Sequence, residues 1–410
     1  MPVERRVKPF VQAVQVGIVL AVLLAVPAAS CWSQAAANAP DQGSLAFALE
    51  QQGKYPEAEA AWRSAIQAHP ANAEAYAHLG FLESRQEHYP EAVRLYRKAL
   101  ALNPTIPGLR LNLGLSLFKS GALKEAIQTF APLLKALPSS SPEALRLETL
   151  IGLAHYGLGE YAAAVPPLKE ATSADAQNLA LRLALAHSCL WSKQYKCVLD
   201  VYHEILTLNA ESAEADMLAG EALDEMKDNA GATQQFRAAV KADPREPNVH
   251  FGLGYLLWGL MQYEEAAQEF QAELTNNPAH AQALAFLADT EMRLSHPEQA
   301  PALLEKALHI DPGIELAHLD LGILYGDAGR KDDALKELKM AAKLSPEDQN
   351  VHFRLGRFYQ AEGRKDEAKV EFDKTRSLQK AADETVFRKL HEAQAKGKPA
   401  EETQAAPVAK

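Results

Sequence analysis

The stretch Tyr76-Ala77-His78-Leu79-Gly80-Phe81, with Ala92, Tyr96 and Pro104 after it, sets a pattern that the chain restates at a fixed interval. Pro70, Pro104 and Pro138 lie 34 residues apart, and so do Pro244, Pro278, Pro312 and Pro346. Between the two series the insertion Ser139-Ser140-Ser141-Pro142 shifts the register by four, after which the same step lands on Ala176, Ala210 and Pro244. The Gly80 column reads Ala46, Gly80, Gly114, Gly152, Ala186, Gly220, Gly254, Ala288, Gly322, Gly356. Seven glycines in ten places, where composition alone gives fewer than one, mean one steric demand imposed ten times. The Ala92 column is alanine everywhere except Val198. Four residues further on sits a large side chain: Trp62, Tyr96, Phe130, Leu168, Tyr202, Phe236, Phe270, Leu304, Leu338 or Phe372.

Within each unit, two apolar stripes at helical spacing are separated by a short polar turn, often marked by Gly53, Gly121, Gly159, Gly329 or Gly363, which suits a left-handed helix cap. The small columns let two antiparallel helices approach closely, and the large residue is expected to fill the gap to the next pair. Proline then blocks further helix and turns the chain into the following unit. One pair is too small to bury its own apolar face, so the pairs must stack.

This pattern resembles the tetratricopeptide repeat (TPR) family, with which Tyr76–Phe81, Gly363-Arg364-Lys365-Asp366-Glu367-Ala368 and Leu344-Ser345-Pro346 agree closely. Ten units are expected within 39–382: 39–72, 73–106, 107–140, then steps of 34 from 145–178 to 349–382, with the 139–142 insertion offsetting the stack between repeats three and four. The resemblance implies an all-α, right-handed α-solenoid of stacked antiparallel helix pairs, a TPR superhelix. Three features depart from the pattern. The tryptophan usual near each unit's start is replaced, by His250, His318 and His352 among others; repeats four and five lack the closing proline; and the insertion breaks the count. Apolar spacing at Val386, Leu390 and Ala393 predicts a C-terminal capping helix over 383–396, and the Pro/Ala/Glu-rich 397–410 is expected to be a disordered tail.

The 410 residues carry 42 basic and 53 acidic side chains, a formal charge of −11. That surface argues against general binding to nucleic acid, which needs basic stripes to displace counterions. Arg5, Arg6 and Lys8 precede an uncharged stretch from Pro9 to Pro40, whose most apolar part, Val16 to Val26, is followed by Ala28-Ala29-Ser30. This is the layout of an export signal over 1–35, cleaved after Ser30 or Ala35. Two rivals stand beside it: an uncleaved membrane anchor from Phe10 to Ala29, and a lipoprotein in which Cys31 is acylated. In each case the repeats are expected outside the cytoplasm: periplasmic or secreted, or tethered at the N-terminus.

Chemistry is scarce. No Gly-x-Ser-x-Gly elbow, phosphate loop or His-Glu-x-x-His helix is present, and Gly252-x-Gly254 lies inside a repeat's first helix with no strand before it. His250, His318 and His352 share a column, but stacked helices stand about 8–10 Å apart while an ion needs ligands about 2 Å away, so packing histidines are expected. No enzyme activity, metal or cofactor is expected. Cys189 and Cys197 flank one helix-helix turn; a disulfide and two free thiols both fit the sequence.

By the resemblance, the first helix of each pair lines a concave groove that takes extended or helical segments of partner proteins. The lysine, asparagine and arginine clamp that grips a chain terminus is absent, and so is an asparagine ladder, only Asn112 lying in that column. What remains for partner binding is Leu115, Phe118, Leu153, Tyr156, Trp191, Phe251, Tyr255 and Trp258. An aromatic groove anchors side chains of a partner; the competing reading packs several of these residues between repeats. The expected function is a non-catalytic interaction scaffold of the cell envelope or periplasm. The alternatives are a chaperone-like holdase with many clients and a non-catalytic subunit of an export or envelope-assembly complex.

Overall fold

The structure, a computed structural model, describes residues 42–139, 141–208 and 211–395. The expected export segment with Cys31, and the expected tail, lie outside the described residues. Within them the chain is an all-helical α-solenoid of twenty helices, α1 to α20, taken two to a repeat. The first unit, ending at Asp243, holds α1 (Gln42–Gln51), α2 (Tyr55–Ala68), α3 (Ala73–Arg85), α4 (Tyr89–Leu102), α5 (Leu109–Lys119), α6 (Leu123–Lys135), α7 (Pro142–Gly157), α8 (Tyr161–Ala174), α9 (Leu179–Trp191), α10 (Tyr195–Leu208), α11 (Ala213–Glu225) and α12 (Asn229–Ala242). The second, from Pro244, holds α13 (Val249–Gly259), α14 (Tyr263–Asn276), α15 (Ala281–Arg293), α16 (Ala300–Ile310), α17 (Glu315–Asp327), α18 (Lys331–Leu344), α19 (Gln349–Ala361) and α20 (Lys365–Ala395).

Local chemistry starts and stops these helices. Asn72, Asn178 and Ser212 accept from the backbone N–H three residues on, satisfying a donor that the first helical turn leaves without a partner. Pro56 and Pro90 enter at the start of second helices, where a missing N–H costs nothing. Each turn between paired helices contains one left-handed residue. It is glycine at Gly53, Gly121, Gly159, Gly329 and Gly363, but the same column holds Glu87, Lys193, Lys227, Met261 and Ser295, with φ of 60–66°. Packing of the helices on either side thus overrides a local preference against that conformation. The 139–142 insertion is absorbed locally: Ser141 caps α7, whose sixteen residues take in Pro142.

The glycine column explains the closeness of each pair. A methyl group built on Gly254 would come 2.9 Å from the Phe270 ring, on Gly80 2.9 Å from Tyr96, and on Gly322 2.7 Å from Leu338. The large residue therefore lies on the glycine of its own repeat and also reaches the next pair, as its spacing suggests: Trp62 stacks on His78 at 4.5 Å, and the Phe270 ring lies 5.8 Å from Phe286. Within each unit, the second helix of a repeat packs on the first helix of the next, and in the first unit one apolar core runs from Ala77 to Ala222. A correction falls at the C-terminus. No separate helix begins near residue 383; α20 runs unbroken for 31 residues from the last repeat's second helix to Ala395. No glycine or proline interrupts that stretch, so nothing in it stops the helix.

Candidate functional site

The candidate residues all lie on first helices, and α13 carries three of them. Phe251, Tyr255 and Trp258 occupy positions i, i+4 and i+7 and therefore share a face. Their rings form a ladder: Phe251 and Tyr255 lie 6.2 Å apart, Tyr255 and Trp258 6.1 Å, with interplanar angles of 30° and 22°. All three remain partly exposed. Beneath them Phe286 of α15, 5% exposed, meets Tyr255 and Trp258 edge-on at 5.2 and 5.1 Å.

Polar bonds fix both ends of the ladder. The backbone N–H of Phe251 donates to Glu273 Oε2 at 3.2 Å, and the His280 ring stacks on Phe251 at 4.8 Å. His280 Nδ1 accepts from the Ala283 N–H, so its other nitrogen donates to Asn248 Oδ1 at 2.8 Å; burial holds this imidazole below its usual pKa. At the far end Trp258 Nε1 donates to Asp289 Oδ2 at 2.5 Å, and Arg293 Nε donates to the same oxygen at 2.6 Å. The Arg293 guanidinium also lies over the rings of Trp258 and Tyr263, at 5.3 and 5.5 Å.

In the first unit the sequence candidates divide. Leu115 and Trp191 are partly exposed, and Trp191 leans on Tyr161 at 6.1 Å. Phe118, Leu153 and Tyr156 are core, at 4%, 1% and 1% exposure, and so are not groove residues. The reason is that their face of the first helix turns onto neighbouring helices; Tyr156 packs against Tyr161 and His187. Next to this region α11 carries Glu214, Asp216, Glu221, Asp224 and Glu225 with no lysine or arginine. Burial, then the charges of Asp224 and Glu225, push the Glu221 carboxyl up to about 7.

Cys189, fully buried, is joined to Cys197 by a disulfide, with Cα atoms 5.8 Å apart. The bond ties α9 to α10 around the left-handed Lys193 and the partly exposed Trp191 and Tyr195. The histidine column serves packing. His250, His318 and His352 each place Nδ1 2.6 Å from a carboxylate on their own repeat's second helix: Glu269, Glu337 and Glu371. His318 and His352 also donate from Nε2 to the carbonyls of Pro312 and Pro346, pinning the loop before the repeat. No cluster of three or more metal-ligating side chains occurs among the described residues, and no described helix is long and apolar enough to cross a membrane.

Sequence reasoning missed Phe286, Asp289 and Arg293, which build the wall and lock of the ladder. It also missed a tyrosine column at the start of the second helices, in which Tyr55, Tyr161, Tyr195 and Tyr263 are each clasped by the residue thirty places on. Arg85 lies over Tyr55 at 4.4 Å, Trp191 packs on Tyr161, Tyr195 donates to Glu225 at 3.3 Å, and Arg293 covers Tyr263. The column was present as Tyr55, Tyr89, Tyr161, Tyr195 and Tyr263, but its partners vary in chemistry and so leave no periodic signal.

Two family models described as tetratricopeptide repeat match the chain, one over residues 84–151 and the other over 44–82, 251–313 and 319–373, together more than half of it. Among curated relatives, the BBSome complex member BBS4 of Bos taurus is 24% identical over 231 residues, 56% of this chain and 44% of that protein. Tetratricopeptide repeat protein 8 of Homo sapiens is 35% identical over 82 residues, 20% of this chain and 15% of that one. The chain thus spans less than half the length of the curated relatives it matches. Two crystal structures of MamA are 20% identical, with TM-scores of 0.35; they align with 40% and 48% of this chain and with 96% and 98% of their own.

Proposed function

Since the chain belongs to the tetratricopeptide repeat family, we propose that it is a non-catalytic scaffold, working outside the cytoplasm, that holds segments of partner proteins on the faces of its first helices. The observation that carries this reading is the α13 ladder: three large rings left partly exposed on one helix face, backed by Phe286 and held at both ends by hydrogen bonds. Rigid aromatic side chains lose little conformational entropy on binding and make good anchors for a partner's apolar side chains. The extracytoplasmic setting is supported by the basic-then-apolar N-terminal sequence and by the Cys189–Cys197 disulfide, a bond that persists in oxidising compartments. Membership of a multiprotein assembly, as the name of BBS4 records for that relative, is in keeping with a scaffold.

Selection of peptides from a displayed random library on the purified chain tests this. The reading expects peptides sharing apolar or aromatic anchors, whose affinity falls about 30-fold or more in Tyr255→Ala while Val370→Ala, on the exposed surface of the second helix α20, leaves it unchanged. Peptides indifferent to Tyr255→Ala would move the binding surface elsewhere. Selected peptides with no shared anchor and uniformly weak binding would favour a holdase.

A further inference from the structure

The second unit buries one polar atom that nothing satisfies. Asp320 on α17 is 4% exposed, and its Oδ2 is buried without a hydrogen-bond partner. Asp289 and Arg293 of α15 face it electrostatically, as do Glu315 on its own helix and Arg354 of α19. On the other helices packed on α17, Glu337 of α18 is engaged with His318, Asp333 of α18 with Arg330, and Glu305 of α16 with the Tyr325 hydroxyl. Asp289, itself 4% exposed, takes two donors on one oxygen, an arrangement that suits a carboxylate. A second charge within its field, with one oxygen lacking any donor, is costly in a buried site. Burial first, and the Asp289 charge second, accordingly hold the Asp320 carboxyl well above the usual carboxylate range, against the pull of Arg293 and Arg354.

We propose that Asp320 is a protonation switch for the aromatic ladder, acting on Trp258 through Arg293 and Asp289. With its proton in place, Asp320 is neutral and leaves Arg293 to Asp289, whose shared oxygen holds the Trp258 indole against Phe286. When the proton passes to solvent, a second carboxylate competes for the Arg293 guanidinium. The lock loosens, and Trp258 is freed from its place at the end of the ladder. No other bond is made or broken. Asp320 is a positioning residue, and this inference rests on the proposed groove only for what the movement serves.

The test reads Trp258 directly, in the full chain without any peptide. The indole Nε1–H resonance, assigned by its loss in Trp258→Phe, is followed by NMR from about pH 5 to about pH 9, a window that spans displaced carboxyl groups. The native chain is expected to show a titration of this resonance with a midpoint above the ordinary carboxylate range, and faster indole exchange on its alkaline side. Asp320→Asn, of the same shape but without the ionisation, is expected to abolish the titration. A resonance that stays fixed across the window in the native chain overturns the proposal, and so does an unchanged titration in Asp320→Asn. Should that variant fail to fold, Asp320→Leu and the native titration still decide. Because no ligand is present, failure of the groove reading leaves this result intact, and the reverse holds too.

Discussion

Gly254 and Gly259 lie five residues apart on α13, yet a methyl group on each meets opposite surroundings. At Gly254 it would strike the Phe270 ring and Glu269; at Gly259 nothing lies within 4 Å. Gly254→Ala is therefore expected to destabilise the chain by about 1–3 kcal/mol through overpacking. Gly259→Ala should stabilise it by about 0.5–1 kcal/mol, because alanine loses less backbone freedom in a helix. Chemical denaturation of the two variants separates them. The turn column gives the complementary case. Lys227 and Met261 hold φ of 66° and 60°, a conformation costing a side chain about 1–2 kcal/mol that glycine avoids. After glycine's greater freedom in the unfolded chain is subtracted, Lys227→Gly and Met261→Gly should each raise stability by about 0.5–1 kcal/mol. Lost stability in both would mean that the native side chains make contacts outweighing the strain. At this scale the sequence was legible where one residue type recurs, as in the Gly/Ala columns. It was silent where packing imposes one conformation on lysine, methionine and glutamate alike.

At the scale of the element, helix pairs and their order could be read from the 34-residue step, because every pair repeats the same packing. What the step does not carry is the chemistry between neighbouring repeats. The tyrosine clasps use arginine, tryptophan or glutamate in turn, and the Asp289 lock joins residues from α13 and α15. Such contacts share no residue type from one repeat to the next, so Phe118, Leu153 and Tyr156 passed for groove residues, and the lock went unseen. The α9–α10 turn offers a direct measurement. Cys189 and Cys197 close a short loop, and a cross-link of that span stabilises by about 2–3 kcal/mol in the chain-entropy account. Cys197→Ser is expected to lower stability by that amount, measured under oxidising conditions, and to match the reduced native chain. Equal stability of native and variant chains under oxidising conditions would remove the disulfide from the account.

Over the whole molecule, charge sets the response to pH. The Glu221 carboxyl, pushed up to about 7 from an ordinary 4.5, keeps its proton in the folded chain at a pH where the unfolded chain has released it. Folding is thus less favourable as pH rises from about 4.5 to about 7, and levels off above that window. Glu221→Gln should flatten this part of the pH–stability profile; an unaltered slope would assign it to other carboxyls.

The central claim is that partners are held on the first-helix faces, and placing a photo-crosslinking amino acid at Tyr255, with a control at the exposed Val370 of α20, tests it most directly. Mass spectrometry of the crosslinked chain, exposed to its own cell extract, is expected to find defined partner segments attached at residue 255 and few or none at residue 370. Equal capture at both positions, or capture at residue 370 alone, would contradict the account.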